Sequence, residues 1–187
     1  MAYFTDMSPC TYFPFDPENK LLAVGWLESG HAYHRRHPLD QFLYRFHHLS
    51  PLRRHRGHPL DQFLDRFTHL NDHWWEPCPF MGWHDCSFCP PDRSAWRHRP
   101  PETHSYRNVF VPGVDCLFVA PEILPHYVLK HGYAPPTEFQ RALLACPDPE
   151  KCREEYLSLV IENGPPSLKQ FVEYQDQRRK EIENSRA

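Results

Sequence analysis

The chain has 187 residues, with 21 lysines and arginines against 24 aspartates and glutamates, giving a formal net charge of −3. This balance excludes an overall basic field that would draw the chain onto nucleic acid or an anionic membrane, so any such partner would have to be met by a local patch. No stretch resembles a membrane span of about 18 apolar residues, and Met1-Ala2-Tyr3-Phe4-Thr5-Asp6 lacks the basic and apolar regions of a signal peptide. The expected location is the cytoplasm, with no membrane partner.

The length suits one domain over residues 1–187. With 21 prolines against 7 glycines, short elements joined by stiff, extended connections are expected. Seven cysteines cannot all pair within one chain, and a reducing compartment disfavours disulfides. Metal binding is the reading for a close pair of cysteines, and burial for the rest. With 14 histidines present, a single one counts as a ligand only beside other ligands at suitable spacing.

In chain order, residues 1–20 form an aromatic and proline-rich arm with Tyr3, Phe4, Tyr12, Phe13 and Phe15. The apolar run 21–27, between polar flanks, reads as a buried strand. A tandem repeat follows. His37-Pro38-Leu39-Asp40-Gln41-Phe42-Leu43-Tyr44-Arg45-Phe46-His47-His48-Leu49 returns 21 residues later as His58-Pro59-Leu60-Asp61-Gln62-Phe63-Leu64-Asp65-Arg66-Phe67-Thr68-His69-Leu70. Only two positions of that unit differ, which marks 34–70 as a duplicated segment, two copies at a 21-residue offset. Two copies are too few for a solenoid.

Each copy reads as a helix, with proline at its first position, an acid in the first turn, and Leu39, Phe42, Leu43 and Phe46 (or Leu60, Phe63, Leu64 and Phe67) on one face. The expectation is a helical hairpin in which only one copy has an inherited place in the core. The basic linker Ser50 to Gly57 joins the copies. Trp74, Trp75, Phe80 and Trp83 then lead into a proline-bounded loop, and the polar stretch 92–106 reads as exposed.

Val109-Phe110-Val111 and Leu117-Phe118-Val119 flank a Pro112-Gly113 turn signal, so 107–119 reads as a β-hairpin. A short helix is expected from Pro121 to His131, closed by Gly132. Another follows Pro135-Pro136, a third begins near Asp148 with Cys152, Tyr156, Leu159 and Val160 on one face, and a last one carries Leu168, Phe171, Val172 and Tyr174. From Gln175 that helix is almost wholly polar, so 175–187 is expected to project or fray. Together these elements give an α+β fold: a small sheet, from the strand near 21–27 and the hairpin 107–119, packed with short helices.

The most specific chemistry lies in Gly82-Trp83-His84-Asp85-Cys86-Ser87-Phe88-Cys89. A Cys-x-x-Cys turn presents two thiolates to one tetrahedral ion, and His84 lies two residues before Cys86, so both point the same way in an extended segment. The expected zinc ligands are His84, Cys86, Cys89 and, from the later segment, His126. Asp85 would support a ligand imidazole by hydrogen bonding. Other candidates for the fourth position are His131, Cys78 and Cys116. His126 and His131, five residues apart, would diverge by about 140° on a continuous helix, and His131 also suits a helix C-terminal cap.

The catalytic signatures of zinc deaminases and zinc proteases are missing, as are a Walker loop and a nucleophile elbow. A structural zinc in a non-catalytic binding or adaptor module with a protein partner is therefore expected, and no catalytic residue is assigned. Two alternatives stand beside it. One is a zinc hydrolase with water in an open position and Asp85 or Glu122 as base. The other is single-stranded nucleic-acid binding through Arg53-Arg54-His55-Arg56 and Arg93 to Arg99, which the negative net charge disfavours.

The loop Gly82 to Cys89, with Val111-Pro112-Gly113, Ala120-Pro121-Glu122, His126-Tyr127-Val128 and His131-Gly132-Tyr133-Ala134-Pro135-Pro136, resembles a family of small uncharacterised bacterial proteins. The opening Phe4-Thr5-Asp6-Met7-Ser8-Pro9 and Val24-Gly25-Trp26-Leu27 resemble it too, so the likeness spans most of residues 3–146. The first copy of the repeat looks like an addition to that pattern. The resemblance implies a bacterial cytosolic protein in which the Cys loop and the His126–His131 segment belong to one domain.

Overall fold

The computed structural model describes residues 3–13, 16–37, 59–72, 84–89 and 103–186. Its elements are β1 (Leu21–Ala23), α1 (Pro59–Asp72), β2 (His84–Asp85), β3 (His104–Ser105), β4 (Asn108–Pro112), β5 (Leu117–Pro121), α2 (Leu124–Lys130), α3 (Thr137–Ala145), α4 (Arg153–Asn163) and α5 (Pro166–Arg186). The fold is α+β. The first copy of the repeat, and with it the expected helical hairpin, lies outside the described residues, as do Cys78 and both arginine-rich stretches.

The main sheet has the order β1-β5-β4. The hairpin pairs antiparallel from Asn108 opposite Pro121 to Pro112 opposite Leu117. At its turn the Gly113 amide donates to the Cys116 carbonyl (2.9 Å), and Asp115 takes the left-handed conformation (φ 56°). Every residue of β4 and β5 is buried, which explains why both strands read as unbroken apolar runs rather than alternating ones. Ala120 and Pro121 stay in this ladder, opposite Val109 and Asn108. The following helix therefore starts at Leu124 and not at the expected Pro121.

β1 adds to β5 in parallel, with Leu21 opposite Leu117 and Ala23 opposite Val119. The strand is shorter than the apolar run that suggested it, because Gly25 (φ 73°) turns the chain. Val24 before the turn and Trp26 and Leu27 after it are buried, and the Trp26 indole donates to the Val119 carbonyl (3.0 Å). The N-terminal arm lies along β1: the Met7 amide donates to the Ala23 carbonyl (2.8 Å) and the Cys10 amide to that of Leu21 (2.7 Å).

Helices cover this sheet with narrow apolar faces. Phe63, Phe67 and Leu70 of α1 are buried, as are Phe139 and Leu143 of α3. The Phe139 ring lies 6.0 Å from that of Phe63 and 5.7 Å from that of Phe118 on β5. On α4 the buried residues are Tyr156, Leu157 and Val160, and the Tyr156 hydroxyl donates to the Phe110 carbonyl (2.8 Å). Cys152 precedes that helix and is exposed. α5 is anchored by Leu168 and Val172, while Phe171 and Tyr174 are exposed.

Candidate metal centre

The loop carrying Cys86 and Cys89 is held at its start and through Ser87. β2 pairs with β3, His84 opposite Ser105, and the Cys86 amide donates to the Thr103 carbonyl (2.9 Å). Further on, the Ser87 hydroxyl oxygen accepts from the Ser29 amide (2.7 Å). The Phe88 ring fills the space beneath the loop, with centroids 5.4 Å from Tyr33, 6.1 Å from Tyr127 and 5.1 Å from His131. The loop is thus a packed element positioned over α2.

Four donor atoms converge there. Those of Cys86, Cys89, His126 and His131 all lie within 4.8 Å of one another. Cys86 Sγ is 3.3 Å from His131 Nε2, and Cys89 Sγ is 3.3 Å from His126 Nε2 and 3.5 Å from His131 Nε2. The two Nε2 atoms are 3.1 Å apart. In a zinc tetrahedron with bonds of about 2.3 Å to sulfur and about 2.05 Å to nitrogen, those separations would be about 3.6 Å for S···N and about 3.3 Å for N···N. The donors are therefore spaced for one small tetrahedral ion, and the group can hold a metal.

Both histidines reach one point because they do not share a helix. His126 lies in α2, which ends at Lys130. His131 is the residue after it, with φ −110° and ψ 1° and its amide donating to the Tyr127 carbonyl. Gly132 (φ 68°) then reverses the chain. The divergence expected from five residues of helix does not arise, and the capping role expected of His131 is filled by its backbone, which leaves the ring free to face the loop. The Tyr33 hydroxyl donates to the His131 carbonyl (3.1 Å) and steadies this turn.

His84, expected as a ligand, stands apart from the four. Its side chain points inward like that of Cys86, and both are buried. Its Nε2, however, meets the Tyr127 hydroxyl at 2.9 Å, and Trp26 lies edge-on to its ring at 5.6 Å. Burial pulls its pKa down to about 4, so it is a neutral core histidine. Asp85 follows on β2, opposite His104. Glu122 accepts from the Asn71 side chain (3.2 Å), and Cys116 lines an apolar groove with Phe118 and Ala142; neither joins the group.

The buried Cys86 sulfur would need a positive charge beside it to ionise. Burial pushes the Cys86 thiol up to about 11, although the amides of Phe88 and Cys89 hydrogen-bond to it. A buried thiol becomes a thiolate when a nearby positive charge replaces water. His131 is shifted down by burial and by Arg35, which keeps its imidazole neutral, as a ligand must be. No described cysteine is in a disulfide.

No curated protein and no solved structure matches the chain. A model described as a domain of unknown function, DUF7919, matches residues 2–58 and 48–144, two segments that overlap between the copies of the repeat. Most of the chain is covered, including the Cys loop, the hairpin and both histidines, and the chain belongs to this family.

Proposed function

We propose that Cys86, Cys89, His126 and His131 hold one structural zinc ion, and that the protein is a non-catalytic binding module built around it. The supporting observation is the convergence of two sulfurs and two imidazole nitrogens at separations of 3.1 to 3.5 Å. Sulfur and imidazole donors in a tetrahedron suit zinc better than calcium or magnesium, which take oxygen ligands and higher coordination. Four protein donors also complete the shell and leave no position for a reactive water, which favours a structural role over hydrolysis.

The ion ties a loop with little regular structure to the end of α2. That bond joins parts of the chain about 40 residues apart, and metal-binding energy becomes folding energy. In this reading the protein works in a bacterial cytoplasm, where free thiols persist, and its partner is another protein. Elemental analysis of purified protein should give one zinc per chain, and close to none in a Cys86→Ser, Cys89→Ser variant. Full zinc content in that variant would exclude the site.

A further inference from the structure

The groove that receives α1 is formed by α3, β4 and the turn after α3. Phe63, Phe67 and Leu70 are buried in it, with Phe63 against Phe139. The Arg66 guanidinium donates to the Cys146 carbonyl, and His69 Nε2 lies 2.9 Å from an Asp148 carboxylate oxygen. Every one of these docking side chains occurs again 21 residues earlier: Phe42, Phe46, Leu49, Arg45 and His48. The two differences within the unit, Tyr44 for Asp65 and His47 for Thr68, fall where α1 is exposed to solvent. Within that unit, divergence between the copies is thus confined to solvent-exposed positions. A contact without a counterpart lies just past the repeat, where Asn71 donates to Glu122 and the earlier copy has Ser50.

The Arg36 amide donates to the Gly132 carbonyl and the Ala134 amide to that of His34, so the segment just before Pro38 is anchored on the connection between α2 and α3. The first half of α1 packs against Phe139 in the first turn of α3. A helix starting at Pro38 would follow directly on a segment anchored to the connection that leads into α3. The longer connection this creates on the other side costs little, because loop-closure entropy grows only with the logarithm of length.

We propose that residues 38–49 are a second occupant of the α1 groove, interchangeable with residues 59–70, so that the chain carries two copies of one docking helix for a single receptor surface. Exchange moves 21 residues from the connection before the docked helix to the connection between it and the metal loop. The contacts of the shared docking side chains would recur in both arrangements, and the Asn71–Glu122 hydrogen bond would not.

The test uses the full chain with three variants: Phe63→Ala with Phe67→Ala, Phe42→Ala with Phe46→Ala, and all four together. Urea midpoints and peptide-resolved amide hydrogen exchange are measured, with sedimentation to establish mass. If the copies are interchangeable, each pair shifts the midpoint by well under half the shift of the fourfold variant. In the Phe63, Phe67 variant, slow exchange also moves from 59–70 to 38–49 in a monomer. The proposal is overturned if that variant loses as much stability as the fourfold one with no protection gained at 38–49. It is equally overturned if protection at 38–49 appears only in a dimer, since the helix would then be docking on a second chain.

Discussion

His84 and Tyr127 are bonded to each other in the core, imidazole Nε2 to phenolic oxygen at 2.9 Å, directly behind the loop that presents the two sulfurs. The pair links β2 to α2 without taking a place among the metal donors. The Tyr127 hydroxyl also lies 3.5 Å from the Leu27 carbonyl, so strand, loop and helix meet at one phenol. Burial raises the Tyr127 pKa and keeps the hydroxyl protonated.

The His84–Tyr127 bond and His131 should therefore respond differently to mutation. His131→Ala should weaken zinc binding strongly, because it removes a donor. Tyr127→Phe should leave one zinc per chain but cost about 1–3 kcal/mol in urea denaturation, the penalty for stranding a buried polar group. A Tyr127→Phe protein that loses its zinc, or a His131→Ala protein that keeps it at unchanged affinity, would contradict this division of roles.

Chelation should loosen the metal loop before the sheet. With the ion removed, the Cys86 and Cys89 sulfurs lose their tie to α2, while β4 and β5 keep their full ladder. Hydrogen exchange of zinc-loaded and chelated protein should show the largest increase at 84–89 and 126–132. Uniform acceleration across the hairpin as well would mean that the ion supports the whole fold.

Gly25 cannot be replaced cheaply. Its φ of 73° is one that L side chains rarely adopt, and an added Cβ would lie 2.9 Å from Leu124 Cδ1. Its amide also donates to the Asp6 carboxylate (2.9 Å). Gly25→Ala should destabilise the protein by about 1–3 kcal/mol, seen as a lower urea midpoint at unchanged slope.

Phe139 lies on the receptor side of the α1 groove and has no duplicate. It is fully buried, and Phe139→Ala should cost about 3–5 kcal/mol. Exchange between the two copies of the repeat cannot relieve that loss, so the effect should persist in a chain lacking residues 37–57.

Asp148 ties the end of the groove to acid stability. The hydrogen bond from His69 holds its carboxyl below the usual range, with help from the Glu150 amide and Lys151. A carboxyl depressed in the folded state stabilises it above the unfolded pKa of about 3.8 and loses that contribution as pH falls through the folded value. Asp148→Asn should therefore lower the denaturation midpoint at pH 7, and the gap to wild type should narrow on acidification below about pH 4. A gap constant with pH would show that the charge is not involved.

Local patterns in the sequence were enough for the hairpin, whose two apolar runs flank Pro112-Gly113, and for the apolar face of α1, because side-chain periodicity and turn chemistry act within a few residues. The Cys86-x-x-Cys89 pair was equally legible, since its spacing alone suits one ion. Residue spacing also gave the inward direction of His84, two positions before Cys86.

Contacts between distant parts of the chain decided the rest. β1 joins β5 in parallel, a pairing that no short stretch encodes. His84 is engaged by Tyr127, 43 residues later, while the helix ends at Lys130 and so frees His131 to meet the sulfurs. Periodicity specifies which way a side chain points; what it meets there depends on packing between segments far apart in the chain.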